Sequence, residues 1–222
     1  MSLGEFIGSG SSVSKLILHL NGNSNDDSGN SNNGVTSGVS YSLDYGKFNE
    51  GAQFYNQDGR IYANNTITLN HVTFSCFAKL TQNYPSGSRG FICLSKDGYK
   101  LDGIRSWQQW FYWNNGNLTI NVEFLSASVS FSTPASINTW YNIIGTYDGQ
   151  TVRAYVNGKL IGSTAYTGTI PNGTAKITVG NRHQTSNDGS GFTGYIDEVI
   201  VENYGWTIQQ VQKYYTNALG RF

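Results

Sequence analysis

The sequence predicts an all-β fold built as an antiparallel sandwich, and three observations support this. Only 13% of the 222 residues are charged, whereas 14% are aromatic and glycine occurs 27 times, a composition typical of short strands joined by turns. Apolar and polar residues alternate with a period of two in several segments. No strand–helix–strand pattern interrupts these segments, which disfavours a parallel sheet. The alternating segments are KLILHL (15–20), VTFSCFAKL (72–80), LTINVEF (118–124), WYNIIGTY (140–147), TVRAYV (151–156), AKITVG (175–180) and YIDEVIV (195–201).

Two turn signals arrange consecutive strands as antiparallel meanders. Asp148-Gly149 separates two of the alternating segments, and Asn157-Gly158 follows the segment that ends at Val156. An Asn-Gly pair tolerates the positive φ angles that the tight type I′ turn of a hairpin requires. These three strands are therefore predicted to follow one another as hairpins.

One helix is predicted, at about residues 207–217. Thr207 followed three residues later by Gln210 forms a capping-box pair, and Gly220 supplies a C-terminal stop. Three apolar residues recur on one face, which predicts that the helix packs on the sandwich as a closing element. They are Ile208, Val211 and Tyr215.

The chain is predicted to form one domain, residues 15–222, preceded by a polar arm of residues 1–14. A single sandwich of this length is ordinary. A Gly/Ser-rich arm is usually disordered unless something binds it, so the arm is a candidate contact with a neighbouring subunit and a route to oligomers. The N-terminus shows no positively charged region followed by an apolar core, so no signal peptide is visible.

The formal net charge of zero argues against two classes of partner. Phosphate backbones and anionic membrane surfaces are bound by clusters of Lys and Arg, and this sequence has none. No segment approaches the roughly 18 apolar residues of a membrane-spanning helix. We therefore expect neither nucleic acid nor membrane as a partner.

Two cysteines, Cys76 and Cys93, flank the turn-rich stretch TQNYPSGSRG. In a symmetric hairpin they lie opposite each other, so a disulfide could form. Directly opposed strand positions leave the Cβ atoms about 4.5–5.5 Å apart, wider than the roughly 3.5–4.5 Å of a relaxed bridge, which favours buried free thiols. Both alternatives stay open, and no metal-binding cysteine pattern is present.

The stretch SWQQWFYWNNGN (106–117) holds three of the five tryptophans. Alternation divides it between two faces, and one face of a sandwich strand belongs to the core. We assign Phe111 and Trp113 to the core, and Trp107 to a connection that contains Gly and Arg just before the strand. The predicted ligand or partner surface consists of Trp107, Gln108, Trp110, Tyr112 and Asn114. The alternative, in which all five aromatic residues pack inside or under a loop, stays open because buried Trp is common.

A series of motifs carries a family resemblance over nearly the whole chain from residue 15 onward. Its most specific part is the ordered triple W-Y-x-x-x-x-T-Y-D-G, Y-V-N-G and G-Y-I-D-E-V (140–149, 155–158 and 194–199). Together with LILHLNGNSNDDSGNSNNG (16–34) and GKFNEGAQF (46–54), these motifs resemble the laminin-G-like jelly roll of the concanavalin A-like lectin/glucanase group. The resemblance implies a two-sheet antiparallel jelly-roll sandwich. Phe77 stands where the family usually has Trp.

The resemblance also implies a structural calcium ion, because the loop at residues 21–34 helps to hold one in many relatives. Ca²⁺ takes six to eight oxygen ligands, and this loop offers Asp26, Asp27 and Asn30. Asp197 shares strand parity with Val199, so it is predicted to be a buried carboxylate that needs a partner, and the resemblance suggests this loop, directly or through the cation. The alternative is a loop of Asx turns, with Asp197 capping backbone amides and no metal.

Catalysis is not expected, although the same jelly roll also hosts glucanases. Glycoside hydrolysis needs two carboxylates that face one cleft. The Glu-x-Asp-x-x-Glu arrangement of the glucanase relatives does not occur, and the neighbours Asp197 and Glu198 point to opposite faces of a strand. The histidines, His19, His71 and His183, show no metalloprotease spacing, and no nucleophile elbow occurs.

Two functions remain after catalysis is set aside. The first is binding of a surface glycan, in which aromatic faces contact sugar C–H groups and Asn, Gln or Asp bind hydroxyls. The second is a structural module that docks a neighbouring virion protein, since the ending WTIQQVQKYYTNALGRF resembles tails of laminin-G-like proteins encoded among bacteriophage virion genes. We favour a glycan-binding adhesion module on a virion surface or in the extracellular space.

Overall fold

The computed structural model describes residues 14–55, 58–83, 88–98, 101–124, 129–182 and 189–220. Each alternating segment contains a strand, although AKITVG (175–180) contributes only Thr178 and Val179 and KLILHL (15–20) ends its strand at Leu18. In chain order the elements are β1 (Ser14–Leu18), β2 (Gly34–Ser37), β3 (Val39–Ser42), β4 (Gly51–Phe54), β5 (Arg60–Ala63), β6 (Val72–Leu80), β7 (Ser88–Gly98), β8 (Ile104–Asn114), β9 (Asn117–Phe124), β10 (Val129–Pro134), β11 (Tyr141–Tyr147), β12 (Thr151–Val156), β13 (Lys159–Ala165), β14 (Thr178–Val179), β15 (Gly194–Glu202) and α1 (Ile208–Leu219).

The strands form two sheets that share one hydrophobic interior. The eight-stranded sheet runs β13-β12-β11-β6-β15-β4-β3, and β1 pairs with the second half of β15. The seven-stranded sheet runs β10-β9-β8-β7-β14-β5-β2. Every ladder between these strands is antiparallel. The predicted two-sheet antiparallel sandwich with one C-terminal helix is confirmed.

Aromatic rings from both sheets meet in the interior. Phe74 of the eight-stranded sheet lies 5.2 Å from Trp107 and 5.0 Å from Phe124, measured between ring centroids. Gln109 of β8 crosses the same interior, and its Nε2 donates to the backbone oxygens of Phe74 at 3.2 Å and Ile143 at 3.0 Å. Its buried amide therefore has partners on the opposite sheet, as buried polar groups require.

The two predicted hairpins are present. Asn157 and Gly158 have φ angles of 50° and 73° between β12 and β13, as a type I′ turn demands. Between β11 and β12, Gly149 has a φ of 91°, and Asp148 Oδ1 accepts hydrogen bonds from the two backbone amides that follow Gly149. Local turn chemistry thus fixes the order of these three strands.

The hairpin predicted around the two cysteines is wrong. Strands β6 and β7 belong to different sheets, because the chain crosses from one sheet to the other between them. Cys76 and Cys93 are buried free thiols, each with its Sγ 3.2 Å from an oxygen of Gln109. Burial raises the pKa of the Cys76 thiol well above its usual value. The alternative with free thiols is the one found.

The helix starts at the predicted residue and covers the outer face of the eight-stranded sheet. Thr207 Oγ1 accepts from the Gln210 amide at 3.3 Å, and Gln210 Oε1 accepts from the Thr207 amide at 2.8 Å, so the predicted capping box is formed. The predicted apolar face is shifted, because Ile208 is 36% exposed. The buried residues of the helix are Val211, Tyr214 and Ala218.

The predicted arm lies almost wholly outside the described residues. Residues 1–13 are not among them, so the arm and its role in oligomers stay predictions. Ser14, assigned to the arm, is instead the first residue of β1 and is buried. Helix α1, within the part of the chain described, is neither long nor apolar enough to cross a membrane.

Candidate functional site

Strand β8 carries the aromatic stretch and presents it on two faces. Residues with one parity are buried in the interior, and residues with the other parity point away from it. Phe111 and Trp113 lie in the interior, as predicted. Trp110 and Tyr112 are half-buried on the outward face, and Asn114 is exposed at the end of the strand. The candidate site is therefore the outward face of the seven-stranded sheet.

The assignment of Trp107 to the exposed surface is wrong. Trp107 is 1% exposed and stacks on Phe74 in the interior. The prediction treated Trp107 as part of a connection, whereas β8 already begins at Ile104. Inside a strand, Trp107 shares parity with Phe111, so it turns inward with it.

The indole of Trp110 packs with one edge against the neighbouring strand, at a position where that strand has a glycine. A Cβ on Gly90 of β7 would stand 2.5 Å from Trp110 Cε3 and 2.6 Å from Cζ3, closer than atoms can approach. The ring of Tyr112 lies 5.3 Å from that of Trp110. Gly90 thus leaves the space that the Cε3–Cζ3 edge of the indole occupies, and a larger residue there would displace the ring.

Polar side chains flank the two rings along the strand register. Asn121 pairs with Trp110 and Thr119 pairs with Tyr112, and Asn121 Nδ2 donates to Thr119 Oγ1 at 3.1 Å. We call Trp110, Tyr112, Thr119 and Asn121 the aromatic shelf. Beyond it, β10 adds a row of exposed small side chains, Ser130, Ser132 and Pro134.

A charged cluster borders the aromatic shelf. Asp97 is buried, with its Oδ2 2.7 Å from Arg182 Nε and its Oδ1 3.8 Å from Arg105 Nε. Arg105 Nη1 lies 3.6 Å from Glu123 Oε1, and Gln108 Nε2 donates to Glu123 Oε2 at 2.6 Å. The two carboxylates and two guanidinium groups sum to zero charge and offer both donors and acceptors.

Gln108 faces outward as predicted by parity, but it is 1% exposed. Its Oε1 and the Nε1 of Trp110 are buried and have no hydrogen-bond partner among the described residues. Buried polar atoms without partners are uncommon in folded proteins. These two atoms lie where the aromatic shelf meets the charged cluster, which is where a ligand could satisfy them.

Sequence reasoning missed the charged cluster for identifiable reasons. Glu123 could have been found, because the alternation of LTINVEF gives it the same parity as Asn121. Arg105 could not have been found, because the strand register slips by one residue between Trp107 and Arg105. This slip turns the Arg105 side chain outward. Asp97 and Arg182 come together only through sheet topology, which no local signal encodes.

The loop predicted to bind calcium is organised around Asp26. Its Oδ1 accepts from the Ile17 and Ser28 amides at 3.0 and 2.9 Å, and its Oδ2 accepts from Ser28 Oγ at 2.9 Å and the Asn32 amide at 2.8 Å. Asn30 donates its Nδ2 to the Ser14 backbone oxygen at 2.6 Å. These contacts match the Asx-turn alternative.

Asp197 is buried as predicted, but its partner is not the calcium loop. Its Oδ2 accepts from the Lys47 and Phe48 amides, both at 2.8 Å. Glu198 has a φ of 51° and the register shifts there, so Asp197 and Val199 do not share a face. Burial raises the pKa of Asp197 to about 7, with the charge of Glu198 adding to the rise and the amide of Phe48 opposing it.

Asp26 and Asp197, two of the four predicted calcium ligands, belong to separate hydrogen-bond networks. Asp26 uses both oxygens on backbone amides and a hydroxyl, whereas Asp197 serves a different loop. Asp27 is largely exposed, and His19 lies between it and Glu198, with Nε2 3.8 Å from Asp27 Oδ2 and Nδ1 2.9 Å from Glu198 Oε2. No group of three or more His, Cys, Asp or Glu residues suited to a metal occurs in the described part of the chain.

Comparison with known families decides the classification. Residues 54–212, well over half of the chain, match a laminin G family described as "Concanavalin A-like lectin/glucanases superfamily". The chain belongs to this superfamily. The expected family is thereby confirmed. No curated protein has a sequence that matches this chain.

Solved structures with the same fold include domain 4 of AbnA, a GH43 extracellular arabinanase from Geobacillus stearothermophilus, in complex with arabinotriose. It has a TM-score of 0.64 and 19% identity over 90% of this chain and 97% of that domain. The binding domain of Paraclostridial Mosquitocidal Protein 1 (TM-score 0.65, 15% identity) and the receptor binding domain of botulinum neurotoxin type G (0.64, 17%) cover 93% and 92% of this chain. The chain spans about half of each toxin domain, 52% and 51%. At these identities the likeness shows the fold.

Proposed function

We propose that this domain is a non-catalytic glycan-binding module and that the aromatic shelf holds the sugar. The observation that carries the proposal is the indole of Trp110, which is half-buried on an outward sheet face with its Cε3–Cζ3 edge against Gly90. A half-buried aromatic ring held at a sheet surface offers apolar area to the C–H groups of a sugar ring. Tyr112 extends this surface along the strand.

The surroundings of the rings supply the polar contacts that a sugar needs. Asn121 and Thr119 lie beside the rings, and the buried Oε1 of Gln108 is an acceptor without a partner among the described residues. Arg105 and Glu123, at the open side of the charged cluster, keep 28% and 14% of their side chains exposed. Because the cluster is neutral overall, it suits the hydroxyls of an uncharged saccharide.

The known structures support binding over catalysis. One structure of the same fold was solved with arabinotriose, and two others are named as binding domains. On the outward face of this chain, the carboxylates of Asp97 and Glu123 both lie beside Arg105. A hydrolase needs one carboxyl group to donate a proton to the leaving oxygen, and these two side chains are engaged by arginine and Gln108 instead.

The test is titration of neutral oligosaccharides, beginning with arabinotriose and a neutral glycan array, followed by calorimetry. Trp110→Ala should weaken binding at least tenfold, which corresponds to about 1.4 kcal/mol. Tyr204→Ala removes an exposed aromatic ring that follows β15 in the other sheet and should leave binding unchanged. Equal affinity of Trp110→Ala and the parent protein would exclude the shelf as the site.

Gly90→Ala tests the geometry without removing the ring. The added methyl group would push the Trp110 ring away from β7, since its Cβ would stand 2.5 Å from Cε3. We expect weaker sugar binding together with a changed indole fluorescence spectrum. Unaltered binding with a changed spectrum would mean that ring position does not matter to the ligand.

Calcium binding, with Asp26, Asp27, Asn30 and Asp197 as the predicted ligands, stays a proposal. The same titrations and a thermal melt are repeated with calcium and with a chelator. A melting temperature that falls when chelator is added would support a structural calcium ion. An unchanged melting temperature would rule out the calcium proposal. Asp27→Asn then asks whether the exposed carboxylate of the loop contributes, because Asp26 is already engaged.

We also propose that the domain is displayed outside the cell, as an adhesion module on a bacteriophage virion surface. The C-terminal sequence resemblance supports this placement, and one structure of the same fold comes from an extracellular enzyme. Antibody labelling of purified particles by electron microscopy tests it. If the particles are labelled but the titrations show no sugar binding, the domain is a structural part that contacts a neighbouring virion protein.

A further inference from the structure

A second aromatic surface lies on the outer face of the eight-stranded sheet, the face opposite to the aromatic shelf. Three neighbouring strands align their side chains in one row, in which Gln53 pairs with Tyr195 and Tyr195 pairs with Lys79. Trp140 lies beside Lys79, one residue before β11. We call Tyr45, Tyr55, Lys79, Trp140 and Tyr195 the tyrosine–lysine patch.

Two rings of this patch, those of Tyr195 and Trp140, lie beside the ammonium group of Lys79. Its Nζ lies 4.7 Å from the ring centroid of Tyr195 and 5.1 Å from that of Trp140. Tyr45 stacks on Tyr195 with a centroid distance of 5.2 Å and an interplanar angle of 8°. Aromatic faces attract a cation through their quadrupole, so the rings fix the position of the charge without neutralising it.

The charge of Lys79 has no carboxylate partner among the described residues. Burial lowers the pKa of Lys79, and the nearby charge of Lys47 lowers it further. The ammonium group of Lys79 is thus a positive charge in a partly desolvated place. An anionic group placed beside Lys79 would favour its charged form.

The patch has the extent of a short chain, since its row crosses several strands. The register carries the row from Ser40 through Gln53 and Tyr195 to Lys79. Adjacent strands lie about 4.8 Å apart, so these three steps span roughly 14 Å. At the far end, Ser40 Oγ and Tyr55 Oη lie 3.0 Å apart and add hydroxyl groups. Rings, hydroxyls and amides along one row suit a saccharide better than a single small ion.

We propose that the tyrosine–lysine patch binds an acidic saccharide, with sugar rings against the aromatic side chains and a carboxylate or sulfate group at Lys79. This site is separate from the aromatic shelf and does not rest on the function proposed for it. The aromatic shelf adjoins a neutral cluster, whereas the tyrosine–lysine patch carries unneutralised positive charge, so the two sites favour ligands of different charge.

The test uses two acidic probes and one neutral analogue in calorimetry at low ionic strength. Hexagalacturonate supplies carboxylates, a heparin hexasaccharide adds sulfates, and fully methyl-esterified hexagalacturonate keeps the sugar chain without the charge. We expect at least one acidic probe to bind at least tenfold more tightly than the ester. We expect Lys79→Gln to weaken that binding at least tenfold, and Lys79→Arg to keep it within about threefold, because Arg retains the charge and also stacks on rings.

Two further variants separate this proposal from its alternatives. Lys159→Gln removes one exposed positive charge elsewhere and should leave binding unchanged, which controls for net charge. Trp110→Ala should also leave it unchanged, so failure of this site and failure of the aromatic shelf are distinguishable. The proposal is overturned if neither acidic probe binds, if the ester binds equally well, or if Lys79→Gln binds as tightly as the parent protein with its melting temperature retained.

Discussion

Asp197 shows how one backbone irregularity decides the environment of a side chain. Glu198 adopts a left-handed conformation, and this bulge separates the face of Asp197 from that of Val199. Asp197 then reaches the amides of Lys47 and Phe48 and holds the loop between β3 and β4 against β15. A left-handed Glu has no sequence signal, so the burial of Asp197 was predicted from a shared face with Val199 that does not exist, and its partner could not be predicted.

Titration of Asp197 should make the protein less stable as the pH rises. Its pKa is raised from 3.8 to about 7, so between these values the folded state binds more protons than the unfolded chain, and the free energy of unfolding falls with rising pH. By pH 8 the free energy of unfolding has fallen by a few kcal/mol, because each unit of pKa difference corresponds to about 1.4 kcal/mol. Asp197→Asn keeps an acceptor for both amides, so its stability should match the parent protein near pH 4 and exceed it at pH 8.

Thermal melts from pH 4 to 8 check this. We expect the melting temperature of Asp197→Asn to exceed that of the parent protein by several degrees at pH 8, at about 2–4 °C per kcal/mol. Asp44→Asn, at an exposed position, is the control and should follow the parent curve. Burial also raises the pKa of Glu202. The melting temperature of Asp197→Asn should therefore still fall somewhat as the pH rises. Parallel curves for Asp197→Asn and the parent protein would contradict the assignment.

At the scale of single elements, alternation predicts a face well once the start of the strand is known. It placed Phe111 and Trp113 correctly because they lie in the middle of β8. It failed for Trp107, which was assigned to a connection, and it did not reveal Arg105, which lies beyond a slip in register. The central part of the candidate site was therefore predictable, and its charged border was not.

Helix α1 allows a test of the local signals that define its start. Thr207→Ala removes the acceptor for the Gln210 amide, and loss of such a cap costs about 1 kcal/mol. The melting temperature should fall by about 2–4 °C. Thr216→Ala changes the same residue type at an exposed position inside the helix and should be neutral or slightly stabilising. A fall as large in Thr216→Ala would mean that the cap is not the cause.

At the scale of the whole molecule, the sequence predicted the architecture better than the positions of its ligands. Motif order over most of the chain identified the family, and the hairpins at Gly149 and Gly158 follow from local turn residues. The pairing of β6 was misjudged, because a connection that crosses between sheets looks locally like a hairpin. Sites formed by several strands depend on such crossings, which is why the tyrosine–lysine patch had no sequence signal.

The sandwich places the aromatic shelf and the tyrosine–lysine patch on opposite outer faces, with the packed interior between them. Close-packed interiors do not deform continuously, and neither site shares a residue with the other, so we expect no energetic coupling between them. The Kd of the aromatic shelf for a neutral oligosaccharide should change less than twofold when the patch is saturated with an acidic probe. Sequential calorimetric titrations measure this, and the double variant Trp110→Ala/Lys79→Gln should lose each ligand as each single variant does. A coupling of tenfold, about 1.4 kcal/mol, would show that the interior has two arrangements and that each ligand selects one of them.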